Sequence, residues 1–221
     1  MSRAVAVLRP EPGNAATAAR VEAAGLTAIR LPLFAVHALD WVAPDPARFD
    51  ALILTSANAP RLAGPDLDAF AALPVFAVGP ATAAAARARG LTVAETGDGD
   101  GAAIVASLTA RGFGRALLVA GRERRVHIGG VVAAAVTVYA SDPVPIDPAA
   151  VDALDDGVAL LHSPRAAQRL AALAGPARAS IRLAAISDAV GAAAGPGWAT
   201  VAAAAAPDDA ALIALARRLA D

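Results

Sequence analysis

The sequence of 221 residues contains no cysteine and no lysine. Without cysteine there can be no disulfide, no thiolate nucleophile, and no iron–sulfur or cysteine-bound zinc centre. Because all nineteen positively charged residues are arginines, Schiff-base chemistry and the lysine of a phosphate-binding P-loop are excluded as well. The histidines at positions 37, 127 and 162 lack the spacing of a metal site. We therefore expect no protein-bound metal.

A surplus of positive charge and long apolar runs are also missing. The formal net charge is −1 and the isoelectric point is near 6.3, which argues against a nucleic-acid-binding face. No apolar run reaches the roughly 18 residues of a membrane-spanning helix, and the run at Ala4–Leu8 is too short for a signal peptide. These absences predict a cytoplasmic protein that contacts neither nucleic acid nor membrane.

Short apolar strands alternate with helical segments along the chain. Uninterrupted apolar runs such as Ala51–Leu54 and Val158–Leu161 are typical of parallel sheets that helices cover on both faces. Asn14 is predicted to cap a helix over Ala15–Ala24, and His37–Asp45 to form an irregular connection because it shows no clear period. The fold class predicted from this alternation is α/β.

The second half of the chain repeats features of the first. Ser163 follows Ser56 by 107 positions, and Ala185 follows Ala77 by 108. Generic likeness between βα units is one explanation, and the preferred one is a pair of similar small α/β domains with parallel sheets. The cleft between two such domains is the expected ligand site.

The turns after the predicted strands carry small hydroxyl residues, glycine and arginine. In open parallel sheets, ligands bind at the carboxyl ends of the strands. The stretch Ala77–Ala83 offers a helix N-terminus to an anion, because proline suits the first helical position and glycine leaves the backbone accessible. Such turns favour binding of several carboxylates or phosphates over strong acid–base catalysis. The candidate binding residues are Arg9, Ser56, Ala57, Asn58, Gly79, Pro80, Ala81, Thr82, Gly121, Arg122, Ser163, Pro164, Arg165 and Ser187.

Other features have competing interpretations. The stretch Gly97–Ala102 matches a dinucleotide fingerprint, but Asp98 and Asp100 would repel a pyrophosphate, so it is interpreted as a turn with a helix cap. His162 follows a strand and is more commonly a structural histidine, although its place beside the expected cleft keeps it a candidate. A basic cluster is either a solvated face or an anion-recruiting patch; it consists of Arg122, Arg124 and Arg125.

Taken in order, these stretches resemble the uroporphyrinogen-III synthase family. The resemblance covers nearly the whole chain and depends on the order and spacing of the motifs rather than on any single one. The matching features are Arg9-Pro10, Leu31–Leu33, Asp50–Ser56, Ala77–Ala83, the Gly121 turn, Val138-Tyr139 and Leu161–Pro164.

This resemblance implies two flavodoxin-like domains with a cleft between them. Residues 1–34 and 143–221 would form one domain, and residues 38–138 the inserted one. Residues 35–37 and 139–142 would be the linkers, as extended crossovers. Tyr139 is implied as the residue that assists departure of a hydroxyl group, with Thr82 as the secondary catalytic candidate.

The implied reaction is the cyclisation of hydroxymethylbilane, a polyanionic linear tetrapyrrole, to uroporphyrinogen III. Water is lost, ring D is inverted, and neither cofactor nor metal takes part. A monomer is expected, with a transient hand-over of substrate from hydroxymethylbilane synthase. Two alternatives stay open: a non-catalytic bilobed module that binds a small polyanion, and a nucleotide-dependent flavodoxin-like enzyme, which the missing phosphate fingerprint disfavours.

Overall fold

A computed structural model describes residues 2–221 and divides the chain into two compact units. The first unit contains the residues up to Ala35 together with Asp142–Asp221, and the second contains Val36–Ser141. The first unit holds a five-stranded sheet, and the second is built on a six-stranded sheet. The predicted α/β class with two parallel-sheet units is confirmed.

The strands and helices alternate along most of the described chain. The strands are β1 (Val5–Val7), β2 (Ala28–Arg30), β3 (Phe34–Ala38), β4 (Ala51–Leu54), β5 (Val75–Ala77), β6 (Val93–Thr96), β7 (Ala116–Gly121), β8 (Val132–Pro143), β9 (Val158–Leu161), β10 (Arg182–Ala185) and β11 (Thr200–Ala203). The α-helices are α1 (Gly13–Ala23), α2 (Asn58–Leu62), α3 (Pro80–Ala88), α4 (Gly101–Ala110), α5 (Pro148–Asp152), α6 (Pro164–Ala174), α7 (Asp188–Ala193) and α8 (Asp209–Ala220). In this described part of the chain, no helix has both the length and the apolar character needed to cross a membrane.

Five strands of each sheet lie in the same spatial order, but they follow one another differently along the chain. The first sheet runs β11-β10-β9-β1-β2 with parallel pairing throughout. The second runs β3-β8-β7-β4-β5-β6, and its pairs from β8 to β6 are parallel. Strands β4, β5 and β6 therefore correspond to β9, β10 and β11. The pair β1 and β2 precedes this trio in the first unit, whereas the corresponding pair β7 and β8 follows it in the second. The units are therefore related by a circular permutation.

Both faces of each sheet are covered, which explains the uninterrupted apolar strands. In β9, Val158 and Leu160 belong to one apolar cluster, whereas Ala159 and Leu161 belong to another. Successive residues of a strand point to opposite faces, so a strand buried on both sides has no polar position. Every residue of β4 is likewise buried.

The predicted role of Asn14 is wrong. Helix α1 begins at Gly13, and Asn14 is fully buried within its first turn. Its Nδ2 atom donates to the carbonyl oxygens of Val7 (2.7 Å) and Arg9 (3.0 Å), and its Oδ1 atom accepts from Nε of Arg30 (3.1 Å). Tertiary partners therefore occupy the side chain that local sequence preference assigns to a cap.

The prediction for His37–Asp45 is wrong in its first residues, because strand β3 extends to Ala38. Strand β8 is long, with twelve residues that extend to Pro143. The two predicted linkers, residues 35–37 and 139–142, thus have strand backbone. Neither segment shows the apolar pattern that identifies a buried strand in a sequence. In β3, only one residue is buried.

Candidate functional site

The predicted binding residues lie at the carboxyl edges of the two sheets. In the first unit Arg9 follows β1, Ser163 follows β9 and Ser187 follows β10. In the second, Ser56 follows β4 and Gly79 follows β5. Parallel strands end at one edge, so the turns of each unit gather there.

A cavity of about 270 Å³ opens at this edge of the second unit. A second cavity of about 370 Å³ adjoins it and shares Gly99, Gly101, Arg125 and Val126. The structure thus brings together two predicted site residues that lie far apart in sequence, Ser56 and Tyr139. The polar lining of the first cavity consists of Thr55, Ser56, Glu123, Arg124, Arg125 and Tyr139.

Tyr139 is held in place by its neighbour across the sheet. It pairs with Gly121 in the β7–β8 register, and the N–H of Arg122 donates to its carbonyl oxygen at 3.0 Å. A Cβ atom at position 121 would lie 2.5 Å from Cζ and 2.9 Å from Oη of the tyrosine. Glycine is therefore required here by close approach. In the described part of the chain no group hydrogen-bonds the tyrosine hydroxyl, which can donate to a ligand.

The predicted anion loop at α3 has an open helix end. Its N-cap Gly79 has φ −161° and ψ 171°, and the corresponding N-cap of α7, Ser187, has φ −159° and ψ 163°. Neither makes a side-chain cap, whereas Ser163 accepts from the N–H of Ala166 at 3.2 Å. The first-turn N–H groups of a helix have no intrahelical acceptor. In α3 no N-cap side chain accepts from these groups.

The other residues predicted at the two loops after β4 and β5 differ in exposure and in local contacts. Thr82 is only 6 % exposed and lines neither cavity. Pro80 and Ala81 are exposed on the first turn of α3. After β4, Ser56 Oγ accepts from the N–H of Asn58 at 3.2 Å. Ala57 is the N-cap residue of α2.

The basic cluster contributes to the cavity unevenly. Arg124 is half-buried and its Nη1 donates to Oγ1 of Thr137 at 3.0 Å. Arg125 is exposed and lines both cavities. Arg122 is exposed and lines neither. The sequence showed the cluster but gave no means of ranking its members.

In the first unit, Asp209 joins four side chains at the sheet edge. Its carboxylate accepts from Nε2 of His162 (2.8 Å), Oγ1 of Thr17 (2.7 Å), and Nη1 of Arg20 (2.6 Å) and of Arg9 (3.4 Å). The hydrogen bond from His162 and those from Thr17 and Arg20 hold the pKa of Asp209 far below its usual range, against a desolvation effect that raises it.

This network supports the structural interpretation of His162, whose side chain is 10 % exposed. The network also includes Arg9, which was predicted as a binding residue and whose guanidinium contacts Asp209 in the folded unit. Sequence reasoning missed Asp209. The signal that could have revealed it is the pair Asp208-Asp209 at the start of α8, where only Asp208 is used as the cap.

The other predicted residues of the first unit begin α6. Ser163 caps the helix and Pro164 stands within its first turn. The Arg165 guanidinium carbon lies 4.6 Å from the ring centroid of Phe34, so this arginine stacks on an aromatic face. Within residues 2–221, no group of three histidine, aspartate or glutamate side chains is placed to hold a metal ion.

Comparison with known proteins connects these turns to one family. The family model described as uroporphyrinogen-III synthase HemD matches residues 15–214. The chain belongs to this family. It therefore has uroporphyrinogen-III synthase function in tetrapyrrole biosynthesis and acts on a tetrapyrrole substrate, and the non-catalytic binding module is not favoured.

Solved structures show the same fold as this synthase. Uroporphyrinogen-III synthetase from Helicobacter pylori is 18 % identical, with a TM-score of 0.69 over 99 % of this chain and 100 % of that one. A mutant uroporphyrinogen III synthase from Thermus thermophilus is 17 % identical, with a TM-score of 0.60 over 99 % of this chain and 98 % of that one. At such identities the likeness concerns the fold, and the family match carries the function. A search of curated proteins found no match.

Proposed function

We propose that the chain cyclises hydroxymethylbilane to uroporphyrinogen III with loss of water and inversion of ring D, and that the hydroxyl group departs in the cavity lined by Tyr139. The observation that carries this assignment is the placement of the tyrosine over Gly121 at a polar cavity. The hydroxyl-bearing residues Thr55 and Ser56 line the same cavity.

Tyr139 acts as the proton donor in the first step. The bond between the hydroxymethyl carbon and its oxygen breaks, and the phenol proton passes to the oxygen, which leaves as water. The terminal pyrrole becomes a cationic azafulvene. The substituted carbon of ring D attacks its exocyclic carbon to form a spiro intermediate, which fragments and recloses with ring D inverted. The proton lost as the last pyrrole regains aromaticity restores the phenol.

Most of the catalytic effect comes from positioning, because an electron-rich pyrrole stabilises the cation that forms when its hydroxyl group leaves as water. The acetate and propionate groups of the substrate offer many carboxylates to hold. The open N-terminus of α3 after Gly79 presents N–H groups to one of them. In the first unit, the uncapped N-terminus of α7 after Ser187 offers N–H groups in the same way, and Ser163 and Arg165 are proposed as further contacts at the start of α6. Holding the reacting ends together can supply several kcal/mol of the barrier.

Replacement of Tyr139 by phenylalanine tests the assignment. Supplying hydroxymethylbilane and resolving the type III product from the spontaneous type I isomer measures enzymatic closure. Loss of one general acid should lower kcat by roughly 100-fold, with type I product increasing accordingly. The melting temperature should stay near that of the wild type. A Tyr139→Phe variant that matches the wild-type rate would make Tyr139 a packing residue only.

We also propose that the synthase acts as a monomer that receives its substrate directly from hydroxymethylbilane synthase. The chemical reason is that the free bilane closes spontaneously to the wrong isomer. Sedimentation velocity should give a single species of monomer mass. With the two enzymes coupled, the type I fraction should be lower than with the same bilane flux added from solution, and equal fractions would exclude a hand-over.

A further inference from the structure

We infer that Arg124 binds a carboxylate of the substrate beside Tyr139. This inference rests on the proposed function, because the anion is one of the acid side chains of the tetrapyrrole. Arg124 and Tyr139 line the same cavity of about 270 Å³.

The position of the guanidinium is what distinguishes Arg124. Its Nη1 atom donates to Oγ1 of Thr137 at 3.0 Å, and Thr137 lies two residues before Tyr139 on β8. One strand thus carries both the proposed proton donor and the anchor of the arginine. An arginine has five N–H donors in a planar fork, so a single bond to a hydroxyl leaves the others for a carboxylate. A half-buried guanidinium that is already oriented loses less side-chain freedom on binding than an exposed one.

The charges around the cavity favour an anion. Its lining contains two arginines, Arg124 and Arg125, and one acid, Glu123. The adjoining cavity adds Arg125 again together with Asp100, whose carboxylate accepts from the N–H of Ala102 at 2.8 Å. Around the first cavity one positive charge is therefore in excess.

The step that Arg124 assists is binding, and its contribution to the proton transfer is indirect. A carboxylate held next to the Tyr139 hydroxyl fixes the end of the chain from which water leaves. Charge-assisted hydrogen bonds from arginine to carboxylate are short and often bidentate. Removing these hydrogen bonds should therefore raise KM more than it lowers kcat.

The test compares three variants under steady-state conditions with hydroxymethylbilane. Arg124→Gln should raise KM about ten- to a hundredfold, as loss of a charged hydrogen bond does. Thr137→Val keeps the charge and removes only the anchor, so it should raise KM by a smaller factor. Arg87→Gln removes an exposed arginine on α3 that lines neither cavity, and it should leave KM unchanged within about twofold.

An unchanged KM in Arg124→Gln would overturn the inference. An equal rise in Arg87→Gln would overturn it too, because net charge rather than a defined contact would then be responsible. If Arg124→Gln does not fold, an unchanged KM in Thr137→Val would count against the inference in the same way. A wild-type chain that yields only type I product would instead refute the proposed function, so the two failures are distinguishable.

Discussion

The ring of Tyr139 covers Gly121, and a methyl group at position 121 would lie 2.5 Å from the ring carbon Cζ. The two residues face each other on neighbouring strands β7 and β8. Position 121 can therefore hold no side chain while the tyrosine keeps this orientation. The glycine is required because the tyrosine ring occupies the space that a side chain at position 121 would need.

Gly121→Ala should consequently impair both packing and catalysis. The added methyl group must displace the Tyr139 ring or strain the strand pair, which should cost about 1–3 kcal/mol of unfolding free energy. Enzymatic closure to the type III isomer should fall toward the level of Tyr139→Phe. Gly114→Ala is the matched control, since a Cβ atom there meets nothing within 4 Å. Equal activity of the two alanine variants would contradict this expectation.

The open end of α3 gives a prediction about Gly79. Its φ of −161° suits any residue, and a Cβ atom there would only approach the N atom of Gly99 at 4.0 Å. Gly79→Asp should therefore fold, with the carboxylate capping the helix and stabilising it by a few tenths of a kcal/mol. The same carboxylate should compete with substrate for the first-turn N–H groups and raise KM by roughly tenfold.

The corresponding residue Ser187 provides the comparison. Ser187→Asp alters a shorter helix at nearly the same backbone angles. We expect a smaller rise in KM, because α7 has six residues and α3 has nine, and a shorter helix sums fewer aligned peptide dipoles at its N-terminus. A larger rise for Ser187→Asp than for Gly79→Asp would indicate that the α7 loop, rather than the α3 loop, contributes more to substrate binding.

The Asp209 network predicts a pH dependence of stability. Hydrogen bonds from His162, Thr17 and Arg20 depress the pKa of Asp209 in the folded chain. Its stabilising effect is fully present above the unfolded pKa of about 4 and is lost as the pH falls below that value toward the folded pKa. Asp209→Asn should cost roughly 2–3 kcal/mol of unfolding free energy at neutral pH. The difference from wild type should shrink below about pH 4.

Asp156 is a suitable contrast for this measurement. It also pairs with two arginines, Arg3 and Arg182, but its side chain is 65 % exposed, and exposed pairs contribute little. Asp156→Asn should therefore change stability far less than Asp209→Asn in denaturant titrations at neutral pH. If both variants lose the same stability, burial of the Asp209 carboxylate is not what makes its network important.

Some parts of the molecule were predictable because their cause is local. Strands β4 and β9 were predicted with their observed ends, since a strand buried on both faces must be an unbroken apolar run. Pro80 was predicted within the first turn of α3, because a missing N–H costs nothing there. The repeat could also be predicted, because similar turns, such as those at Ser56 and Ser163, recur at a nearly constant separation along the chain.

Other parts depended on partners distant in sequence. The burial of Asn14 is decided by the carbonyl groups of β1 and by Arg30. The choice of Arg124 over Arg122 as a cavity residue follows from Thr137, thirteen residues away. Asp209 meets His162 only because β9 and α8 are neighbours in the folded unit.

The amino-acid sequence alone was thus sufficient for predicting the α/β class, two similar units, and a resemblance to the synthase family. These follow from periodicity and from the order of short motifs, which are properties of the chain alone. The folded structure was needed to show which side chains share a cavity. It placed Gly121 beneath Tyr139 and Arg124 beside the same cavity, because strand pairing brings together residues whose separation along the chain carries no record of their contact.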